Sequence, residues 1–152
     1  MAKPKVGIIV GSESDLPLVK KAEKQLEEFN IAFDVTVASA HRTPKKVEEY
    51  AKSAEKNYDL IIAAAGMAAA LPGVVAAHTI IPVIGIPVHS SGLSGHDALF
   101  AIVQMPSGVP VATVAIDGAK NAAILAAQIL SLKYPELRAR LKKFKAGLAK
   151  GR

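Results

Sequence analysis

The sequence predicts an α/β fold, a five-stranded parallel sheet with helices packed on both of its faces. Three observations predict it. Short runs rich in Val, Ile and Ala alternate with longer amphipathic stretches along the chain, the pattern of repeated strand–helix units. The strand candidates are apolar on consecutive positions, as strands covered by helices on both sides must be. Glycine and small polar residues gather where those strands end, at GSESD, SAHRTP, GMAAALPG and HSSGLSGHD.

The first strand is Lys5–Val10 (KVGIIV), closed by Gly11. Ser14 or Asp15 can cap the helix that follows, and Pro17 suits its first turn. That helix, roughly Leu16–Glu28, places Leu18, Val19, Ala22, Leu26 and Phe29 on one face. Phe33–Val37 is the second strand, and Thr43 followed by Pro44 starts a helix running to about Lys56. Leu60–Ala64 is the third strand, and the Gly- and Ala-rich stretch from Gly66 leads into a short helix ending near His78. Pro82–Pro87 is the fourth strand, followed by a Gly/Ser loop and a helix to about Met105. Val111–Ala115 is the fifth, Ala119–Leu132 a helix apolar almost all round, and a final amphipathic helix begins near Pro135. The natural topology for these units is three-layered and flavodoxin-like, with a five-stranded parallel sheet and a C-terminal helix. No linker, repeat or low-complexity segment interrupts the order, so residues 1–152 are expected to form a single domain with a basic helical tail from about residue 138. Because Ala122–Leu130 presents no solvent face, burial against other subunits is expected.

Composition narrows the function. There is no cysteine among the 152 residues, which excludes disulfides, thiolate nucleophiles and Cys-based metal sites. The apolar run near the N-terminus is too short for a signal peptide, and nothing later approaches a membrane span, so a cytoplasmic protein is expected. The net charge is +6, but seven cationic residues and no acid lie from Arg138 onward. Residues 1–137 hold the other 12 cationic and all 13 acidic residues. The basicity therefore belongs to a solvated helix end and not to a nucleic-acid footprint.

In such sheets ligands bind beyond the carboxyl ends of the strands. In GSESD, Gly11 permits a tight turn, and Ser12 with the N–H groups of the helix start can hold an anion, although ordinary turn chemistry explains the segment equally well. The GK[ST] ending of a nucleoside triphosphate loop is missing. Asp15 can accept from ribose hydroxyls or simply cap the helix. In SAHRTP, His41 brings an imidazole, whose ordinary pKa of about 6.5 suits both giving and taking a proton. Arg42 beside it offers a planar fork for phosphate or carboxylate. GMAAALPG carries no ionisable side chain, so its contribution is backbone N–H groups and a dry lining, or else close packing alone. His89 and His96 lie within reach of the same edge, while His78 and Asp97 read as structural. No HExxH, nucleophile elbow or pair of rim carboxylates is present, which sets aside metal, covalent-hydrolase and glycosidase readings.

Taken in order, GSESD, SAHRTP, LPGVVAA, PVIGIPV, SGHDALFAIVQMPSGVPVATVAI and AKNAAILAAQIL resemble the N5-carboxyaminoimidazole ribonucleotide mutase family, the catalytic-subunit type of phosphoribosylaminoimidazole carboxylase. The resemblance implies a flavodoxin-like homo-octamer that needs neither metal nor organic cofactor. It implies that Ser12, Asp15 and Arg42 hold the ribose phosphate end of a small ribonucleotide substrate. It further implies that Ser39, Ala40, Gly66, Ala68 and Leu71 line the site and that His41 is the general acid/base. The chain departs from the family's GGAAHLPG at Met67 and Ala70, the latter replacing a histidine. That leaves open how the carboxylate is held, with His89 or His96 as candidate replacements, and keeps carboxylation by free CO2 as an alternative. A non-catalytic phosphate- or nucleotide-binding module is the alternative of another class.

Overall fold

The computed structural model describes residues 2–90 and 92–151. Its strands are β1 (Lys5–Val10), β2 (Ala32–Val37), β3 (Leu60–Gly66), β4 (Val83–Val88) and β5 (Ala112–Thr113). Its helices are α1 (Leu16–Glu28), α2 (Pro44–Asn57), α3 (Leu71–Ala77), α4 (His96–Val103), α5 (Ala119–Leu130) and α6 (Glu136–Ala149). The strands form one parallel sheet in the order β2-β1-β3-β4-β5, the flavodoxin-like arrangement expected. Strand order reverses at β1 and β3, and a crevice opens where the chain leaves them on opposite sides.

Alternate residues of the central strands feed two separate cores. Ile8, Val10, Ile62, Ala64, Ile84 and Ile86 face α1, α5 and α6, with Phe29 edge-on to Phe144 at 5.5 Å between ring centroids. Ile9, Ile61, Ala63, Ala65 and Val83 face α2, α3 and α4. Ile8, Ile62 and Ile84 are fully buried, so truncating any of them to Ala costs about 2–5 kcal/mol. On the second face, Gly85 lets α4 lie against β4, because a Cβ there would run into Ile102. Among the described residues, no helix is long and apolar enough to cross a membrane.

Four local expectations change. α1 is preceded by a 3₁₀ turn, Glu13–Asp15, whose cap is Ser12: its Oγ accepts from the Ser14 N–H at 3.3 Å, while Asp15 makes no side-chain cap bond. The extra turn moves the cap upstream of the residues expected to supply it. β3 runs two residues further, to Gly66, and β4 begins and ends one residue later, because Gly66 and Val88 still pair. β5 shrinks to two residues. Val114 and Asp117 still donate to the β4 carbonyls of Gly85 (3.3 Å) and Pro87 (2.8 Å), but the segment is an irregular edge, as edge strands tend to be. Finally, α5 finds much of its cover within its own chain. Ala122, Ala123, Ala126, Ala127 and Leu130 are buried in the core shared with α1, the sheet and α6, and Asn121 and Gln128 face outward. Small side chains account for this, since they let two helices and a sheet close on one helix.

Candidate active site

The carboxyl ends of β1, β2, β3 and β4 surround a cleft of about 550 Å³. Strand register creates it: Val10 pairs with both Val37 and Ala64, and Gly66 pairs with Val88, so the four chain exits lie along one edge. Nine residues expected from the sequence to act on or hold the ligand line this cleft: Ser12, Asp15, Ser39, Ala40, His41, Arg42, Gly66, Ala68 and Leu71.

The β2 exit is a braced turn. Ser39 N–H donates to Thr43 Oγ1 (2.9 Å), and the Thr43 hydroxyl and N–H both donate back to the Ser39 carbonyl (3.1 and 2.8 Å). The Arg42 N–H donates to Ser39 Oγ at 3.1 Å. His41 is thus exposed on a loop closed at both ends, so its backbone is held while its ring is accessible. The Arg42 side chain bridges two strand exits, with Nε donating to Ser39 Oγ (3.4 Å) and Nη2 to the Gly11 carbonyl (3.2 Å). Its remaining N–H groups are available to an anion.

Asp15 is the buried charge of the site, 9% exposed. Burial pushes its carboxyl above the ordinary value, the Ser12 backbone partly offsets this, and the Asp117 charge pushes it further up. The β3 exit contributes backbone and uncharged, apolar side chains, in a cramped conformation: Met67 and Ala69 both have positive φ (55° and 24°). Of the two histidines that could replace the one missing at Ala70, His89 lines the cleft. His96 does not. Its Nδ1 lies 2.9 Å from the Leu93 carbonyl at the start of α4. His78 closes the far end of α3, and Asp97 lies in the first turn of α4 with a buried, unpaired oxygen.

Two features escaped the sequence reading. Ser14, Val88 and Ser90 also line the cleft. Asp117, from a separate segment, clamps the end of β4: its N–H donates to the Pro87 carbonyl (2.8 Å) and its Oδ1 accepts from the His89 N–H (2.9 Å). The Asp117-Gly118 pair, a turn dipeptide just past a strand, was the available signal. The arrangement offers an anion-binding wall around Gly11, Ser12 and Arg42, an accessible imidazole beside it, and a floor without an ionisable side chain.

The profile of the AIR carboxylase family matches residues 5–150. An N5-carboxyaminoimidazole ribonucleotide mutase of Pyrococcus abyssi is 60% identical over 143 residues, covering 93% of this chain and 82% of that protein. One of Thermotoga maritima is 60% identical over 143 residues, covering 93% and 84%. A crystal structure of Treponema denticola PurE superposes with a TM-score of 0.89 at 33% identity, covering 98% of this chain and 94% of the other. With nearly its whole length matched in sequence and in fold, the chain belongs to the AIR carboxylase family.

Proposed function

We propose that this protein is an N5-carboxyaminoimidazole ribonucleotide mutase of purine biosynthesis, converting its substrate to 4-carboxyaminoimidazole ribonucleotide. The observation that carries the reading is His41, accessible on its braced turn beside Arg42 in the cleft, in a chain 60% identical to two proteins of that name. Arg42, Ser12 and the Gly11 turn hold the phosphate, and Asp15 accepts from the ribose. With the nucleotide seated, the N–carboxyl bond breaks, CO2 leaves, and the nitrogen takes a proton from the His41 imidazolium. The released CO2 stays over the ring at high effective concentration because the methyl-lined floor at Ala68–Leu71 limits escape. The ring carbon attacks it, and the new C–C bond leaves that carbon tetrahedral. Neutral His41 then removes its proton, restoring the aromatic ring and the imidazolium. Protons balance over the cycle, and no cofactor takes part.

The protein is read as a cytoplasmic homo-octamer acting on a small-molecule substrate. Phe100 and Val103 of α4, 59% and 45% exposed, support assembly. Nucleic acid is not part of the reading: two of the tail's arginines are engaged within the chain, Arg138 Nε with the Ser131 carbonyl (3.2 Å) and Arg140 Nη1 with that of Phe29 (2.8 Å).

The test supplies substrate with a labelled carboxyl in excess unlabelled bicarbonate. Label retained in the product, and turnover lost in His41→Asn with ligand affinity kept, is the expected result. Label lost, with equal product from aminoimidazole ribonucleotide and bicarbonate, makes the protein a free-CO2 carboxylase. Binding without turnover in the unmodified protein makes it a binding module.

A further inference from the structure

Resting on that reading, the substrate carries negative charge at two ends, a phosphate and a carboxylate. Among the described residues, the cleft offers three side chains that are or can become cationic: His41, Arg42 and His89. His41 and Arg42 are neighbours on the β2 exit. His89 leaves β4, which lies three strands away across β1 and β3, a separation of about 14 Å at roughly 4.8 Å per strand. Between them the floor is Ala65–Leu71, without an ionisable group. A nucleotide whose phosphate is held at the Arg42 wall therefore directs its far end toward β4.

His89 is built to meet it. Its N–H is fixed by Asp117 Oδ1 at 2.9 Å, and Asp117 is itself tied to the Pro87 carbonyl and held at φ +58°. Gly95 packs so closely beneath the His89 backbone that a Cβ there would come within 3.2 Å of its Cα. The backbone is thus fixed on two sides, whereas the ring is exposed and makes no hydrogen bond to a described residue. His96, by contrast, has its Nδ1 at a carbonyl outside the cleft.

We propose that His89 is a further substrate-contacting residue, donating a hydrogen bond to the substrate's carboxylate from the wall opposite Arg42, with Asp117 as its positioning residue. An imidazole N–H can make that bond in either charge state.

The experiment compares two ligands that differ only in the carboxylate, 4-carboxyaminoimidazole ribonucleotide and aminoimidazole ribonucleotide. Calorimetry measures Kd for each with unmodified protein, His89→Ala, His89→Gln, Asp117→Gly and Asp117→Asn. His89→Ala is expected to weaken the carboxylated ligand by about 10- to 100-fold, the range of one charge-assisted hydrogen bond, and to leave the other ligand's Kd within about 2-fold. His89→Gln restores part of the loss, since its amide can donate. Asp117→Gly keeps the positive φ but removes the carboxylate, and so reproduces the selective loss in weaker form, whereas Asp117→Asn retains an acceptor and restores it. Equal weakening of both ligands, no weakening, or no preference for the carboxylated ligand in the unmodified protein overturns the assignment. Failure of the labelling assay alone overturns the mutase reading and leaves this comparison able to decide its own question.

Discussion

Arg42→Lys tests the anion wall most directly, because it keeps the charge and removes the fork. A guanidinium has five N–H groups. Here one on Nε goes to Ser39 Oγ at 3.4 Å and one on Nη2 to the Gly11 carbonyl at 3.2 Å, leaving three for a phosphate. A lysine ammonium cannot span both strand exits and still face an anion. The two intrachain bonds are long and exposed, so together they contribute about 1 kcal/mol. Replacing a two-pronged phosphate contact by a point charge removes one charge-assisted bond, about 1.5–3 kcal/mol. The intrachain bonds are present with and without ligand and cancel in kcat/KM, so the expected loss is that of the charge-assisted bond alone, roughly 10- to 100-fold. The phosphate does not react, so the loss belongs in KM, with kcat little changed. Steady-state kinetics decides it. A fall in kcat at constant KM places Arg42 at the reacting atoms, and a change under about 3-fold removes it from the phosphate.

Two further outcomes concern stability. Asp59 accepts from the Lys5 N–H (3.1 Å), Lys133 Nζ (2.8 Å) and the Tyr134 hydroxyl (3.0 Å), joining β1, β3 and the start of α6. Asp59→Ala is expected to cost about 3–4 kcal/mol in denaturant unfolding, mostly for the orphaned Lys5 and Tyr134 donors, since the solvent-screened Lys133 pair adds little. Burial pushes the Asp59 carboxyl up, but those hydrogen bonds outweigh it and hold it below the ordinary range. Its stabilisation is therefore complete above about pH 4 and lost as pH falls through the lowered value, and the gap between variant and parent should narrow on acidification. Met67 is 68% exposed at φ +55°. Met67→Gly relieves about 1–2 kcal/mol of left-handed strain against about 0.5–1 of chain entropy, so the denaturation midpoint should rise slightly.

How legible this was depended on the kind of signal. α1 and α2 were readable to within a residue or so because each starts with proline in its first turn and carries an apolar stripe. The His41 turn was readable because the bonds that brace it are local: Ser39, Thr43 and the Arg42 N–H pair within five residues. Asp117 was missed because its partners, Pro87 and His89, lie some 30 residues away, and no periodicity records such a bond. The end of β5 was over-read for a related reason. Val111–Ala115 has strand composition, but only β4 is available to pair with it, and the pairing stops at Thr113. For α5 the sequence could not apportion the cover, because polarity does not say whether it comes from the same chain or another.

The two edges of the sheet are built on opposite terms. At the amino edge, Asp59 and Asp34 are satisfied, Asp34 by Lys5 at 2.8 Å and Tyr58 at 3.1 Å. At the carboxyl edge lie four of the five described non-glycine residues with positive φ, namely Met67, Ala69, Ser94 and Asp117, together with the buried Asp15. Strain and unpaired charge thus collect where ligand is expected, as they do where a site is held ready at some cost in stability. Asp15→Asn puts this to the test. An acid whose folded pKa is raised binds its proton more tightly in the native state, so ionising it destabilises the fold. That penalty is absent below the ordinary carboxylate value of about 3.9 and complete above the raised one. At neutral pH the amide is therefore expected to raise the denaturation midpoint while lowering kcat/KM by about 10-fold or more through the lost charged acceptor to ribose. The stability gain should vanish as pH falls toward 4. A variant less stable at pH 7 would mean that Asp15 is held by favourable contacts, and its burial would then be a structural feature and not preparation for ligand.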